Sequence, residues 1–161
     1  MTNLEFDNTV KQYIGMLYRI AFNYLKNKED SEDSVQNVFI RLYNYKKDFK
    51  SEEHLKAWLI RVTINESKRI LNNNKKYAAI DIEKVADELY ADEIEKRDFS
   101  IELMKLNPTY STVLYLYYYE GYKAEEIAEI LSKTSAAVNL ILSRARKQLK
   151  ELLQEDYHES Y

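Results

Sequence analysis

The chain has 161 residues and a formal net charge of −3, with 45% apolar and 32% charged residues, a globular composition for one ordinary domain or two small ones. It has no cysteine, two histidines (His54 and His158) and two glycines, which excludes a disulfide framework and argues against thiolate or histidine metal sites and glycine-rich phosphate loops. No apolar run approaches the ~18 residues of a membrane span and the N-terminus MTNLEFDNTV is unlike a signal peptide, so a cytoplasmic protein without cofactor or membrane insertion is expected.

Little interrupts helix formation, since Pro108 is the one proline and β-branched alternation is scarce; the periodicity predicts an all-α chain. A first helix is expected from Phe6 to Lys26, with Ile14, Leu17, Tyr18, Ala21 and Leu25 on one stripe. The polar segment Lys26–Glu29 breaks it, and Asp30 or Ser31 is placed to cap a second helix carrying Val35, Val38, Phe39 and Leu42. After a polar loop around Lys47–Lys50, Ser51 caps a third helix with Leu55, Trp58, Leu59, Val62 and Ile70. These three helices make a domain spanning residues 1–76. Its last stretch, Arg61–Lys76, sets five basic residues against Glu66 alone.

Residues 77–100 read as a linker, with local helicity permitted by Ile82, Val85 and Leu89. Asp81–Glu102 holds nine acidic residues against Lys84, Lys96 and Arg97. Fully extended, the tether spans up to ~80 Å. The second domain covers residues 101–161. Pro108 suits the first turn of a helix that runs to about Glu120 with Val113, Leu114 and Tyr117 inward, and Gly121 stops it. A short helix, Lys123–Leu131, presents Ile127, Ala128 and Leu131. Thr134 then caps a last helix with Val138, Leu142, Ala145 and Leu149 on its core stripe. From Lys133 to Lys150 five basic residues meet no acid. Short helix, tight turn and longer basic helix form a helix-turn-helix, whose second helix enters a DNA major groove.

Two sets of residues resemble the sigma-70 family of bacterial RNA polymerase initiation factors, in its extracytoplasmic-function (ECF) group. Leu106–Leu153 is similar to the family's fourth conserved region, with Glu126-Ile127-Ala128 on the first helix and Ser143-Arg144-Ala145-Arg146 on the second. Leu17 to about Lys76 is similar to conserved region two, through Glu29–Gln36, Val38-Phe39, Ala57-Trp58-Leu59 and Asn65. The resemblance implies a non-enzymatic two-domain factor that binds core RNA polymerase and directs it to promoter DNA. It also implies an anti-sigma protein that masks these faces.

On that resemblance Asp30, Glu32, Asp33, Gln36 and Phe39 bind polymerase. Read as residues alone, the acids also suit the positive end of a helix dipole. Trp58, Arg61, Asn65, Lys68 and Arg69 are expected to hold the melted minus-ten element beside the loop Lys47–Glu53. An unstacked base wants an aromatic pocket and a cationic track, and plain core packing explains Trp58 equally well. The family has more basic residues where this chain has Ile64 and Asn72. Thr134, Ser135, Ala136, Asn139, Ser143, Arg144, Arg146 and Lys147 are the expected contacts to the minus-thirty-five duplex, the three cations through phosphates. The tyrosines Tyr115, Tyr117, Tyr118, Tyr119 and Tyr122 read as core and rim packing ahead of a base-stacking platform.

Where the family places a basic or polar trio, this chain has Asn139-Leu140-Ile141. That departure supports a second reading, a sigma-like adaptor whose DNA-reading helix has drifted and which acts through protein contacts. The acidic linker is read either as a mimic of nascent RNA or as a solvated tether. An enzyme has little support, because no nucleophile–base pair stands out.

Overall fold

The computed structural model describes residues 1–74 and 101–159, which form seven helices and no strand. The expected linker, residues 77–100, lies outside the described residues. The chain divides into two compact units, residues 1–94 and 95–161.

In the first unit, α1 (Asn3–Leu25), α2 (Lys28–Tyr43) and α3 (Glu52–Asn73) pack pairwise against one another. The chain enters α1 earlier than the apolar stripe suggests, because Thr2 and Glu5 form a reciprocal cap. The Thr2 N–H donates to Glu5 Oε2 at 2.7 Å and the Glu5 N–H to Thr2 Oγ1 at 3.1 Å. Leu17, Ile20, Ala21 and Phe22 of α1 are completely buried, as are Val38 of α2 and Leu59 and Ile60 of α3. Ile14 departs from the expected stripe and is 47% exposed, on the side of α1 that faces away from this core.

The corner between α1 and α2 also differs from expectation. Lys26 takes a left-handed conformation (φ 58°) and Asn27, not Asp30 or Ser31, caps α2. Asn27 Oδ1 accepts from the Asp30 N–H at 2.8 Å, while the Ser31 hydroxyl donates to the Asn27 carbonyl at 2.6 Å. A short polar residue with extended backbone, three positions before Asp30 and four before Ser31, is therefore the cap. Ser51 caps α3 as expected, accepting from the His54 N–H at 3.1 Å. Where α2 and α3 approach, buried Ser34 and Ser67 share a hydrogen bond of 2.9 Å.

In the second unit, α4 (Ile101–Lys105), α5 (Pro108–Tyr118) and α6 (Ala124–Leu131) each pack on the long α7 (Ser135–Glu159). Pro108 opens α5, and Asn107 Oδ1 accepts from the Thr109 N–H at 2.8 Å. Helix α5 ends at Tyr118, and Gly121, at φ 75°, turns the chain toward α6. Tyr117 is not inward: it is 36% exposed, and the buried tyrosine is Tyr115, at 1%. The core stripe Val113, Leu114 and Leu116 of α5 with Val138, Leu142 and Ala145 of α7 leaves Tyr117 at the rim.

Candidate functional site

Helices α1 and α2 leave a groove between them. Phe6, Val10, Ile14 and Tyr18 line it from α1, and Val35, Phe39, Ile40 and Tyr43 from α2; Glu32, Asp33 and Gln36 complete the lining. Phe6 meets Phe39 and Tyr43 edge-on, at 6.5 and 5.4 Å between ring centroids. The outer residues Ile14, Ile40 and Tyr43 stay about half exposed or more. The result is an apolar trough with carboxylates at one end, suited to an amphipathic element carrying cations beside its apolar stripe. Four of the five expected polymerase contacts, Glu32, Asp33, Gln36 and Phe39, line this trough. Asp30 does not: its Oδ2 accepts from Asn27 Nδ2 at 3.0 Å and from Asn74 Nδ2 at 3.2 Å, tying the start of α2 to the end of α3.

The outer face of α3 carries Arg61, Asn65, Lys68 and Arg69, all exposed. Trp58 is half-buried beside it, in an aromatic knot that the sequence reading did not assemble. Tyr45 and Phe49 from the α2–α3 loop stack at 4.9 Å and lie 5.0 and 5.5 Å from the Trp58 ring, and His54 meets Phe49 at 5.4 Å. The Lys50 N–H donates to His54 Nδ1 at 3.1 Å, so the loop is pinned to the first turn of α3. Such a knot fixes a loop and offers ring faces at its edge.

Beneath the cationic face lies Glu66, 2% exposed. Its Oε1 accepts from Arg69 Nη2 at 2.6 Å and from Asn37 Nδ2 at 2.9 Å, and its Oε2 accepts from Arg69 Nε at 3.2 Å and Arg41 Nη2 at 3.3 Å. The hydrogen bond from Arg69 holds the Glu66 carboxyl below its ordinary pKa of 4.5, against the opposing effect of burial. Arg69 is therefore a clamp on a buried carboxylate as well as a surface cation, and two arginines share one counter-charge. Lys68 Nζ sits 6.0 Å from the centre of the Tyr24 ring. Besides the aromatic knot, the sequence reading missed the role of Glu66. Its i,i+3 spacing to Arg69 was visible; its partners on α2 were not.

In the second unit the α6–α7 corner is built by backbone bonds. Ser132 adopts φ 54°, and the Lys133 N–H donates to the Ala128 carbonyl at 2.8 Å. The Lys123 N–H donates to Glu126 Oε1 at 2.9 Å at the start of α6. Thr134 caps α7 as expected, its Oγ1 accepting from the Ala137 N–H at 3.1 Å. Opposite the buried stripe, α7 exposes Ala136, Asn139, Leu140, Ser143, Arg144 and Lys147. Ser135 is half-buried. Arg146 leaves this face: its Nε donates to the Tyr118 hydroxyl at 2.6 Å, and its guanidinium lies 5.6 and 5.5 Å from the Tyr117 and Tyr118 ring centres. Of the eight residues expected on the duplex face, Ala136, Asn139, Ser143, Arg144 and Lys147 share one exposed side, whereas Arg146 is held by the tyrosines of α5 and Thr134 spends its oxygen on the cap.

Among the described residues, no helix is long and apolar enough to cross a membrane, and no group of three or more His, Cys, Asp and Glu is placed to hold a metal ion.

Residues 9–77 match the family model for sigma-70 region 2, and residues 102–149 match that for sigma-70, region 4. The chain is 30% identical over 142 residues to the RNA polymerase sigma factor SigV of Bacillus subtilis, covering 86% of each chain. It is 24% identical to the ECF RNA polymerase sigma factor SigM of the same organism, covering 92% of this chain and 95% of that one. Two solved structures share the fold. CnrH in complex with the cytosolic domain of CnrY aligns with a TM-score of 0.71 at 23% identity, covering 96% of this chain and 91% of CnrH. The sigma factor RpoE from Bartonella quintana, in complex with the anti-sigma factor NepR, aligns at 0.70 with 20% identity, covering 93% and 97%.

Proposed function

The chain belongs to the sigma-70 family, in its ECF group, and is a sigma factor of transcription initiation; from that premise we propose how its surfaces divide the work. The observation that carries the proposal is the order of the two matched regions, each falling within one helical unit. Residues 1–76 bind core RNA polymerase and the minus-ten element, residues 77–100 connect, and residues 101–161 read the minus-thirty-five element.

Within the first unit, the α1–α2 trough takes an apolar element of the polymerase, with Phe39 as the floor and Glu32, Asp33 and Gln36 fixing its polar edge. Asp30 acts from behind, by holding α2 against α3. Arg61, Asn65 and Lys68 track a single strand along α3, beside the ring edges of Trp58 and its neighbours. Arg69 orders that face through Glu66. In the second unit Arg144 and Lys147 neutralise phosphates, while Ala136, Asn139 and Ser143 approach base edges. No catalytic reaction is assigned, and the site of action is the cytoplasm. The complexes of CnrH and of RpoE motivate a partner of the anti-sigma kind, which would compete for these surfaces. The adaptor reading is not favoured, because the match to region 4 runs through the reading helix as far as residue 149.

The test is reconstitution. Purified chain added to core bacterial RNA polymerase forms a stable complex and initiates transcription from a promoter recovered by sequencing the bound DNA. Failure to bind polymerase overturns the proposal. Glu32→Lys with Asp33→Lys weakens assembly while leaving the helical content unchanged, since both side chains are exposed.

A further inference from the structure

Which bases the reading helix recognises follows from the side chains it exposes, and this inference rests on the duplex-reading role given above. At ~100° per residue, Leu140 sits on the side of α7 away from Val138, Leu142 and Ala145, which are buried to 2% exposure or less. Leu140 itself is 50% exposed. A solitary exposed leucine is ordinary on a protein surface, so its company carries the argument. Its exposed neighbours are Ala136, Asn139 and Ser143.

Residues 135–143, the turns that reach base edges in a helix-turn-helix, contain no Arg, Lys, Gln, Asp or Glu. Guanine is read in the major groove by a bidentate Arg or Lys, and cytosine by a carboxylate accepting from its amino group; neither is available here. Adenine is read by Asn through N6 and N7, and thymine by apolar contact with its 5-methyl group. Asn139 supplies the first chemistry, and Leu140 and Ala136 the second. The cations Arg144 and Lys147 begin about 14 Å along the helix axis from Ser135, where they serve phosphates.

We propose that α7 reads an A·T-rich duplex element, with Leu140 as a specificity-determining residue that packs on a thymine 5-methyl group and Asn139 paired with adenine. The departure from a polar trio at Asn139-Leu140-Ile141 is then a change of sequence preference and not a loss of DNA reading.

The experiment uses the full chain assembled on core bacterial RNA polymerase and a duplex library randomised across the promoter. The upstream element recovered is dominated by A·T pairs. Replacing its thymines by uracil one at a time, which removes only the methyl group, weakens binding about fourfold at one position. Leu140→Ala lowers affinity by a similar factor and becomes indifferent to uracil at that position. Leu140→Arg, also on the exposed face, shifts the preference there toward guanine. A G·C-rich element, a uracil series with no sensitive position, or a Leu140→Ala protein that keeps the uracil response overturns the inference and leaves the duplex role intact. A complex that forms and initiates without any upstream preference overturns both the inference and that role. Failure to join polymerase overturns the functional proposal itself.

Discussion

The two units handle charge in opposite ways. The first buries it: Lys26 is 8% exposed and Glu66 2%, and the same unit completely encloses the polar side chains of Asn23, Ser34, Thr63 and Ser67. In the second, the buried polar side chains among the described residues are Ser111 and Thr112, both uncharged, and the cations of α7 stand on the surface. Buried charge makes stability answer to pH and holds a surface in one geometry; exposed charge makes binding answer to salt. A unit that must keep a trough, an aromatic knot and a cationic face in fixed relation profits from the first arrangement. The duplex-reading role proposed for the second unit would profit from the second.

The largest effect separating them comes from Lys26. Burial pushes its amine down from 10.5 to about 7. Between those values the unfolded chain binds more protons than the folded one, so stability of the first unit rises with pH across that window, by at most about 1.4 kcal/mol per pH unit. Trp58, the single tryptophan, reports this unit's unfolding by its fluorescence. Urea titrations from pH 7 to 9 show a rising midpoint, and Lys26→Met flattens the rise; an unchanged slope in the variant would break the contrast.

Glu66 gives the next effect. Glu66→Gln weakens the bonds from Arg69 and Arg41, costing about 1.5–3 kcal/mol by the same fluorescence readout. Because its folded pKa lies below 4.5, the carboxylate stabilises the unit above that pH and its contribution is lost as pH falls through the lowered folded value. The variant therefore shows a shallower acid limb than the parent.

The smallest effect sharpens the other side. Arg144→Ala with Lys147→Ala lowers the slope of log affinity against log salt by about 2 for the polymerase complex on promoter duplex, as loss of two phosphate contacts requires. Arg146→Ala changes that slope less, since Tyr118 already holds its guanidinium.

Helices were legible in the sequence because apolar spacing is a local signal, and Ser51, Thr134 and Pro108 marked true helix starts. The start of α2 was misread because Asn27 caps it through backbone geometry set by Lys26, where Asp30 and Ser31, three and four residues later, look equally suitable. Tyr117 was misplaced because a run of tyrosines blurs the periodicity; only the packing of α5 on α7 distinguishes Tyr115 from its neighbours. The cluster around Glu66 joins α2 to α3, and the Trp58 knot needs Tyr45 and Phe49 from a loop. Such long-range partners leave no spacing to read. Family resemblance supplied the candidate faces, whereas the structure sorted Asp30 and Arg146 away from them.

The corner at Ser132 has one more consequence. With one left-handed residue and the Lys133-to-Ala128 bond joining α6 to α7, the chain has no slack there. Adding or removing a single amino acid would spin the final helix by ~100° about its long axis and carry Leu140 and its exposed neighbours round to the flank. The corner thus acts as a mechanical index, setting which side of the rod meets the outside world.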